Sequence, residues 1–289
     1  MTKQKKIFAL IFAFAFFSIL LTSCGMPENF GAPNKKARKI LNELNENWTL
    51  GDLYAVDYGT AGDNIPTEWL HKKGEKPGKA ILHLHGGAYV RNLDYGGNLY
   101  RRMAQQYADI SGAGVLTVDY RTAPENPYPA ALEDALTAYY VLLNGGFKGQ
   151  DIIIAGDSAG GGLALALTLY LRDHGVELPA GIVTMSAWTK LDYLFKTTDY
   201  AGKHNDPKDP YISPYYGDFR GFPPMLMQVG TKDITNDTVK TAQKAKKAGV
   251  SVTQTTYKNM FHVFQALFPK LDEANAAWNE VETFINAIF

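Results

Sequence analysis

An α/β architecture built on a mostly parallel central sheet of about eight strands is what this sequence predicts, and three observations carry the prediction. From Lys79 onward, short apolar runs alternate with longer helical stretches, the strand-then-helix rhythm of a parallel sheet wrapped by helices. Ile152, Ile153 and Ile154 form a β-branched run with no polar face, as expected of a strand covered on both sides. That run leads into Gly156, Ser158 and Gly160 in a GxSxG pattern, and an apolar helical stretch follows at once. With 289 residues, 46% of them hydrophobic, the chain is long enough to bury one large core.

The first 23 residues do not belong to that core. Lys3, Lys5 and Lys6 precede an apolar run from Ile7 to Phe17 that continues past Ser18 to Leu21, and Thr22 and Ser23 then lead to Cys24. This is the charged, apolar, small-residue order of a secretory signal, and it is shorter than the roughly 20 apolar residues a membrane span prefers. The sequence LTSC resembles a bacterial lipobox, in which the cysteine is lipid-modified and becomes the first residue of the mature chain. Cys24 is the chain's one cysteine, which excludes an intrachain disulfide and falls where a lipid anchor needs it. The expected location is therefore the extracytoplasmic side of the cell membrane, with several acyl chains making the attachment lasting. Plain secretion and an uncleaved anchor are the competing readings.

The remaining elements follow in order. Residues 25–33 read as a turn-rich tether, and 34–47 as a short amphipathic helix with Ala37, Ile40, Leu41 and Leu44 on one side, so that 24–50 would form the tether and a small cap. The main domain is expected over 51–289. Its first two strands, 53–58 and 65–71, are separated by Gly59, Gly62, Asp63 and Asn64 and form an antiparallel edge. Further strands are expected at 80–85, 115–120, 151–155, 181–185, 225–229 and 250–257, with helices near 100–108, 130–143, 159–173 and 238–248. A last helix over 271–289 carries Trp278, Val281, Phe284, Ile285 and Ile288 at helical spacing. The stretch 189–224 lacks a sustained period and is longer than an ordinary connection, which suggests a lid or binding loop. Tyr193, Phe195, Tyr200, Tyr211, Tyr215 and Tyr216 would line a pocket there; a packed surface loop is the alternative.

The glycine-flanked serine sets the chemistry. A strand that turns sharply into a helix leaves Ser158 where the helix dipole favours negative charge, and only residues without a Cβ permit so close an approach of strand and helix. A serine hydroxyl becomes a useful nucleophile when a base takes its proton and a carboxylate orients that base. On a strand-turn-helix elbow of this kind, acid and base follow the serine, acid first. Three histidines lie beyond Ser158. His174 ends the elbow's own helix, where a cation is an ordinary cap, and His204 lies in the irregular loop; His262, just after the last strand, sits at the sheet edge and is assigned as the base. For the acid, Asp233 and Asp237 both follow the strand that ends at Gly230. Asp233 is nearer the strand end and is preferred, whereas Asp237 with Asn236 suits a helix cap. The developing oxyanion needs amide donors, and the glycines directly after the strand AILHL supply them: Gly86, Gly87 and Ala88 would form the hole with the N–H of Ala159.

Several separated motifs then converge on one family. HGGA from His85, VDYRTAPENPYPAALED from Val118, GDSAGG from Gly156, DPKDPYISP from Asp206, GTKDITND from Gly230 and YxxMxHxF from Tyr257 together resemble the hormone-sensitive-lipase-like esterases of the α/β-hydrolase superfamily. The resemblance spans about 56–266. It implies the α/β-hydrolase fold, a triad at Ser158, Asp233 and His262, an oxyanion loop at 85–88, short-chain carboxylic esters as substrates, no cofactor and no metal ligand. Ala88 stands where the family has its third glycine, so the loop requires Ala88 either to keep φ negative or to hold strain, and its methyl group narrows the alcohol side of the site. The thin cap implies a shallow site for small or surface-presented esters.

The sequence therefore points to an anchored serine esterase acting on a small-molecule ester, with activity that falls in mild acid because a free imidazole titrates at about 6.5. A peptidase or amidase using the same residues is the alternative among enzymes; an inactive binding protein on this fold is the alternative outside them. Equal numbers of basic and acidic residues, 29 of each, give no support for a nucleic-acid partner.

Overall fold

A computed structural model of the chain describes residues 48–62, 64–96, 98–192, 199–235 and 237–289. The signal sequence, Cys24, the helix expected over 34–47, and Tyr193 and Phe195 lie outside the described residues.

Eight strands form one sheet: β1 (Tyr54–Ala61), β2 (Ile65–Lys72), β3 (Ala80–Leu84), β4 (Gly114–Val118), β5 (Ile152–Asp157), β6 (Gly181–Met185), β7 (Met225–Gly230) and β8 (Val252–Tyr257). Their spatial order is β1-β2-β4-β3-β5-β6-β7-β8. β1 pairs antiparallel with β2 and β2 antiparallel with β4, while the six strands from β4 to β8 run parallel, each joined by a crossover. The expected antiparallel edge and parallel body are both present. β5 runs to Asp157, two residues further than the apolar run implied, and so delivers the chain directly to Ser158.

Helices cover both faces. α1 (Asn98–Ser111), α2 (Ala130–Asn144), α3 (Ser158–Asp173), α4 (Asp237–Lys247), the single turn α5 (Phe264–Leu267) and α6 (Asp272–Ile288) follow the strands in turn. On one face Leu82, Leu84, Ile152, Ile154, Ile182 and Met225 pack with residues of α2, α3 and α4. On the other, Ile81, Val115, Ile153, Ala155, Val183 and Leu226 meet α1 and α6. Alternate residues of β5 thus enter different cores, which is why that strand shows no polar face.

The described part of the 189–224 segment is packed. Ile212, Ser213 and Phe219 are buried, and the buried Tyr200 ring stacks on Tyr89 at 3.8 Å and 6°. Tyr200 thereby fixes the segment to the turn after β3. Among the described residues no helix is long and apolar enough to cross a membrane.

Candidate active site

Because β3 through β8 run parallel, their carboxyl ends lie along one edge of the sheet, the place where this class of fold collects functional loops. Ser158 follows β5, Asp233 follows β7 and His262 follows β8. Each is presented by a turn that the local sequence makes possible.

At the β5-to-α3 junction Ser158 adopts φ +52°, a left-handed conformation that costs a non-glycine residue about 1–3 kcal/mol. Its glycine neighbours are required by space. A Cβ on Gly156 would lie 2.4 Å from the Gly160 carbonyl oxygen, and one on Gly160 would lie 1.9 Å from that of Leu84 and 2.5 Å from that of His85. The elbow is thus pressed against the end of β3, which brings the turn at 85–88 beside it. After β7, the N–H of Thr231 donates to the Tyr257 carbonyl and that of Lys232 to the Met260 carbonyl, at 2.9 Å each. This pairing ties the loop bearing Asp233 to the loop bearing His262.

The three side chains meet. His262 Nε2 is 2.9 Å from Ser158 Oγ, and His262 Nδ1 is 2.8 Å from Asp233 Oδ1. Burial by itself would raise the Asp233 carboxyl, but the His262 charge and hydrogen bond, the Ser186 O–H and the Thr235 N–H outweigh it and hold the group at about 2. An ionised carboxylate only accepts, so Nδ1 carries the proton that it donates to Asp233. In the neutral ring Nε2 is then the acceptor for the Ser158 O–H. Geometry and protonation together give a hydroxyl facing a lone pair, the arrangement that proton removal from a nucleophile demands.

Asp237, the other candidate acid, is buried elsewhere and accepts from the Thr189 N–H at 2.8 Å and the Thr189 hydroxyl at 2.5 Å. It opens α4 and secures the start of the 189–224 segment. His174 Nδ1 bonds the Tyr170 carbonyl on its own helix.

Among the residues expected to form the oxyanion hole, Gly86 needs correction. Its N–H donates to Asp157 Oδ1 at 3.1 Å and so is already committed. Gly86 holds the turn in place. The N–H groups of Gly87, Ala88 and Ala159 donate to no protein acceptor among the described residues, and these three remain as the donor set. Ala88 does not keep φ negative: it sits at +57°, followed by Tyr89 at +62°, with Gly87 at +117°. The strain is held by a surrounding frame. Val90 and Arg91 N–H groups close on the Gly87 carbonyl at 3.0 and 3.1 Å, and Ala123 N–H reaches the Tyr89 carbonyl at 2.8 Å. The Tyr120 hydroxyl donates to the His85 carbonyl at 2.5 Å while its ring stacks on His85 at 4.1 Å. Burial pushes His85 down to about 4 and His83 down to about 3, so both rings are neutral near pH 7, and the 3.8 Å approach of His85 to Asp119 is not an ion pair.

Two further polar groups at the site were not singled out from the sequence. Ser186, directly after β6, donates its hydroxyl to Asp233 Oδ2 at 2.6 Å. Its place at a strand's carboxyl end was the one available clue. Asp157 is the other. Burial pushes its carboxyl up to about 7, against the pull of His262 and the Gly86 N–H. Since the folded state holds that proton more tightly than the unfolded chain, this residue's contribution is most favourable below pH ~4 and is lost as pH rises through ~7. Asp157→Asn keeps an oxygen for Gly86 but removes the ionisation. Its stability relative to the parent should therefore improve between pH ~5 and ~8, by on the order of 1–3 kcal/mol or several degrees in Tm. Thermal melts of both proteins across that range check this; a pH-independent difference would refute it.

The chain and its fold are similar to known proteins. Residues 81–266 match the family described as alpha/beta hydrolase fold. An acetyl-hydrolase from Streptomyces hygroscopicus is 36% identical over 257 residues, covering 81% of this chain and 82% of that protein. A crystal structure of an esterase from the bacterial hormone-sensitive lipase family matches with TM-score 0.80 and 29% identity, over 100% of this chain and 99% of the other. The crystal structure of EstE5 soaked with p-nitrophenyl butyrate matches with TM-score 0.76 and 33% identity, over 94% and 97%.

Proposed function

This chain belongs to the α/β-hydrolase family and is a carboxylic ester hydrolase akin to the hormone-sensitive-lipase esterases, and from that premise we propose that it cleaves short acyl or acetyl esters through an acyl-enzyme on Ser158. The observation that carries the assignment is the unbroken contact from Ser158 Oγ through the His262 ring to Asp233. Ser158 Oγ attacks the ester carbonyl as its proton passes to His262 Nε2. Asp233 fixes the tautomer and stabilises the imidazolium without taking the proton. The oxyanion is met by N–H groups of Gly87, Ala88 and Ala159. As the tetrahedral intermediate collapses, the C–O bond to the alcohol breaks and the imidazolium returns its proton to the departing oxygen. Water then attacks the acyl-enzyme by the same route, releasing the acid and restoring Ser158.

The short-ester preference is supported by a relative named acetyl-hydrolase. The run from Lys3 to Cys24 supports attachment outside the cytoplasm through lipid on Cys24.

A fluorophosphonate probe tests chemistry and location together. It should add its mass to the peptide containing Ser158, in the detergent-extracted membrane fraction of cells bearing the parent chain, and lose that fraction's signal in Cys24→Ala. With nitrophenyl esters, kcat/KM should peak at two to four acyl carbons and fall about tenfold or more by ten, each buried methylene being worth at most ~0.8 kcal/mol of binding. Absence of labelling on folded protein defeats the mechanism, and a long-chain optimum defeats the substrate class.

A further inference from the structure

We propose that Ser186 is a positioning residue for this reaction, one hydroxyl that holds the Asp233 carboxylate and the His262 loop in fixed register; the inference rests on the assignment of Asp233 and His262 above. Ser186 follows β6, the strand that lies between the one delivering Ser158 and the one delivering Asp233. It is fully buried and held at φ +53°. A glycine would occupy that conformation without strain, so the side chain is present at an energetic cost.

The hydroxyl has one proton and two lone pairs, and the contacts use both kinds. The proton goes to Asp233 Oδ2 at 2.6 Å, and a lone pair accepts the Val263 N–H at 2.9 Å. One oxygen thus touches the acid and the residue adjoining the base. Val263 itself sits at φ +50°, and the bond to Ser186 helps hold it there. The backbone completes the clamp: the Ser186 carbonyl accepts from Thr235 Oγ1 at 3.0 Å, and its N–H donates to the Gln228 carbonyl at 2.7 Å. The Thr235 backbone N–H donates to Asp233 Oδ1 at 2.9 Å, the oxygen shared with His262. With Oδ1 and Oδ2 each engaged, the carboxylate has one orientation, and that orientation aims Oδ1 at Nδ1. Without the hydroxyl, Oδ2 loses its donor in a buried site and the carboxylate gains freedom to turn.

Ser186→Ala and Ser186→Gly separate this role from a structural one, since both remove the hydroxyl but only the glycine relieves the backbone. On a nitrophenyl acetate substrate, kcat should fall roughly tenfold to hundredfold in both, the range for losing a hydrogen bond to a charged group, with KM changed less than about twofold. The far-downfield proton resonance of the Asp233–His262 bond should shift or broaden in both variants while the Tm of the glycine variant stays near the parent. A glycine variant with kcat within about twofold of the parent overturns the proposal. So does a loss of kcat with that resonance unmoved, which would place the effect in the fold. Should neither variant be soluble, Ser186→Cys, with similar shape and a far weaker donor, carries the same measurements. The resonance needs no substrate, so it reports on Ser186 even if Ser158→Ala were to keep its activity and defeat the assignment of the nucleophile.

Discussion

Ser158→Ala is expected to lower kcat/KM toward a short nitrophenyl ester by on the order of 10⁴- to 10⁶-fold, the loss seen when a triad serine alone is removed from a serine hydrolase. The change deletes one oxygen atom, and three features of the site say that nothing replaces it. His262 Nε2 has its hydroxyl partner at 2.9 Å and would be left facing a methyl group. Ser158 is buried at the elbow, and its hydroxyl is the one that faces the base. Ser186, a hydroxyl tied to the same network, has its proton committed to the Asp233 oxygen remote from His262. In free-energy terms the loss corresponds to roughly 5.5–8 kcal/mol of transition-state stabilisation. Residual turnover above the uncatalysed rate is expected from substrate binding and amide donors alone. The variant should fold as the parent does, because alanine at φ +52° carries the same backbone strain as serine and leaves no cavity of consequence. Steady-state kinetics with a melt of each protein settle the matter, and turnover within about tenfold of the parent would defeat the assignment.

How far the site could be read from the chain follows from the range of its contacts. Ile152 to Ile154 advertised a strand covered on both faces, and the structure does send Ile152 and Ile154 to one core and Ile153 to the other. Once that strand and its successors were placed, chain order put Ser158, Asp233 and His262 at carboxyl ends of parallel strands, and the topology did the rest. The donor set was less legible. Gly86 and Ala88 look equivalent in HGGA, yet one N–H is taken by a carboxylate 71 residues away and the other is not. Such a pairing leaves no local trace. Ser186 is similar: a lone serine after a strand has no pattern, and its meaning arises from Asp233 and Val263, 47 and 77 residues distant. The turn α5 (Phe264–Leu267) was missed for the opposite reason, being too short for a helical period to show.

The second large effect concerns Gly160, where the same argument runs from space to stability and then to activity. A Cβ there would lie 1.9 Å from the Leu84 oxygen, 2.6 Å from the Leu84 carbonyl carbon and 2.5 Å from the His85 oxygen. These are backbone atoms at the end of β3, a central strand hydrogen-bonded on both sides to β4 and β5, so no rotamer change relieves the overlap. Either α3 withdraws from the sheet or the turn at 85–88 is displaced. Gly160→Ala is therefore expected to cost about 3 kcal/mol or more, at the upper end of overpacking penalties, lowering Tm by roughly 6 °C or more. Gly78→Ala is the matched control: nothing lies within 4 Å of its Cβ position and its φ is not left-handed, so its stability should stay within about 0.5 kcal/mol of the parent. Any folded fraction of Gly160→Ala should also be slow, because withdrawal of α3 moves Ser158 and displacement of the turn moves Gly87 and Ala88. The nucleophile and its amide donors are set against each other across this one contact. A Gly160→Ala protein with the parent's Tm and kcat would mean that the elbow does not bear on β3 as closely as these distances require.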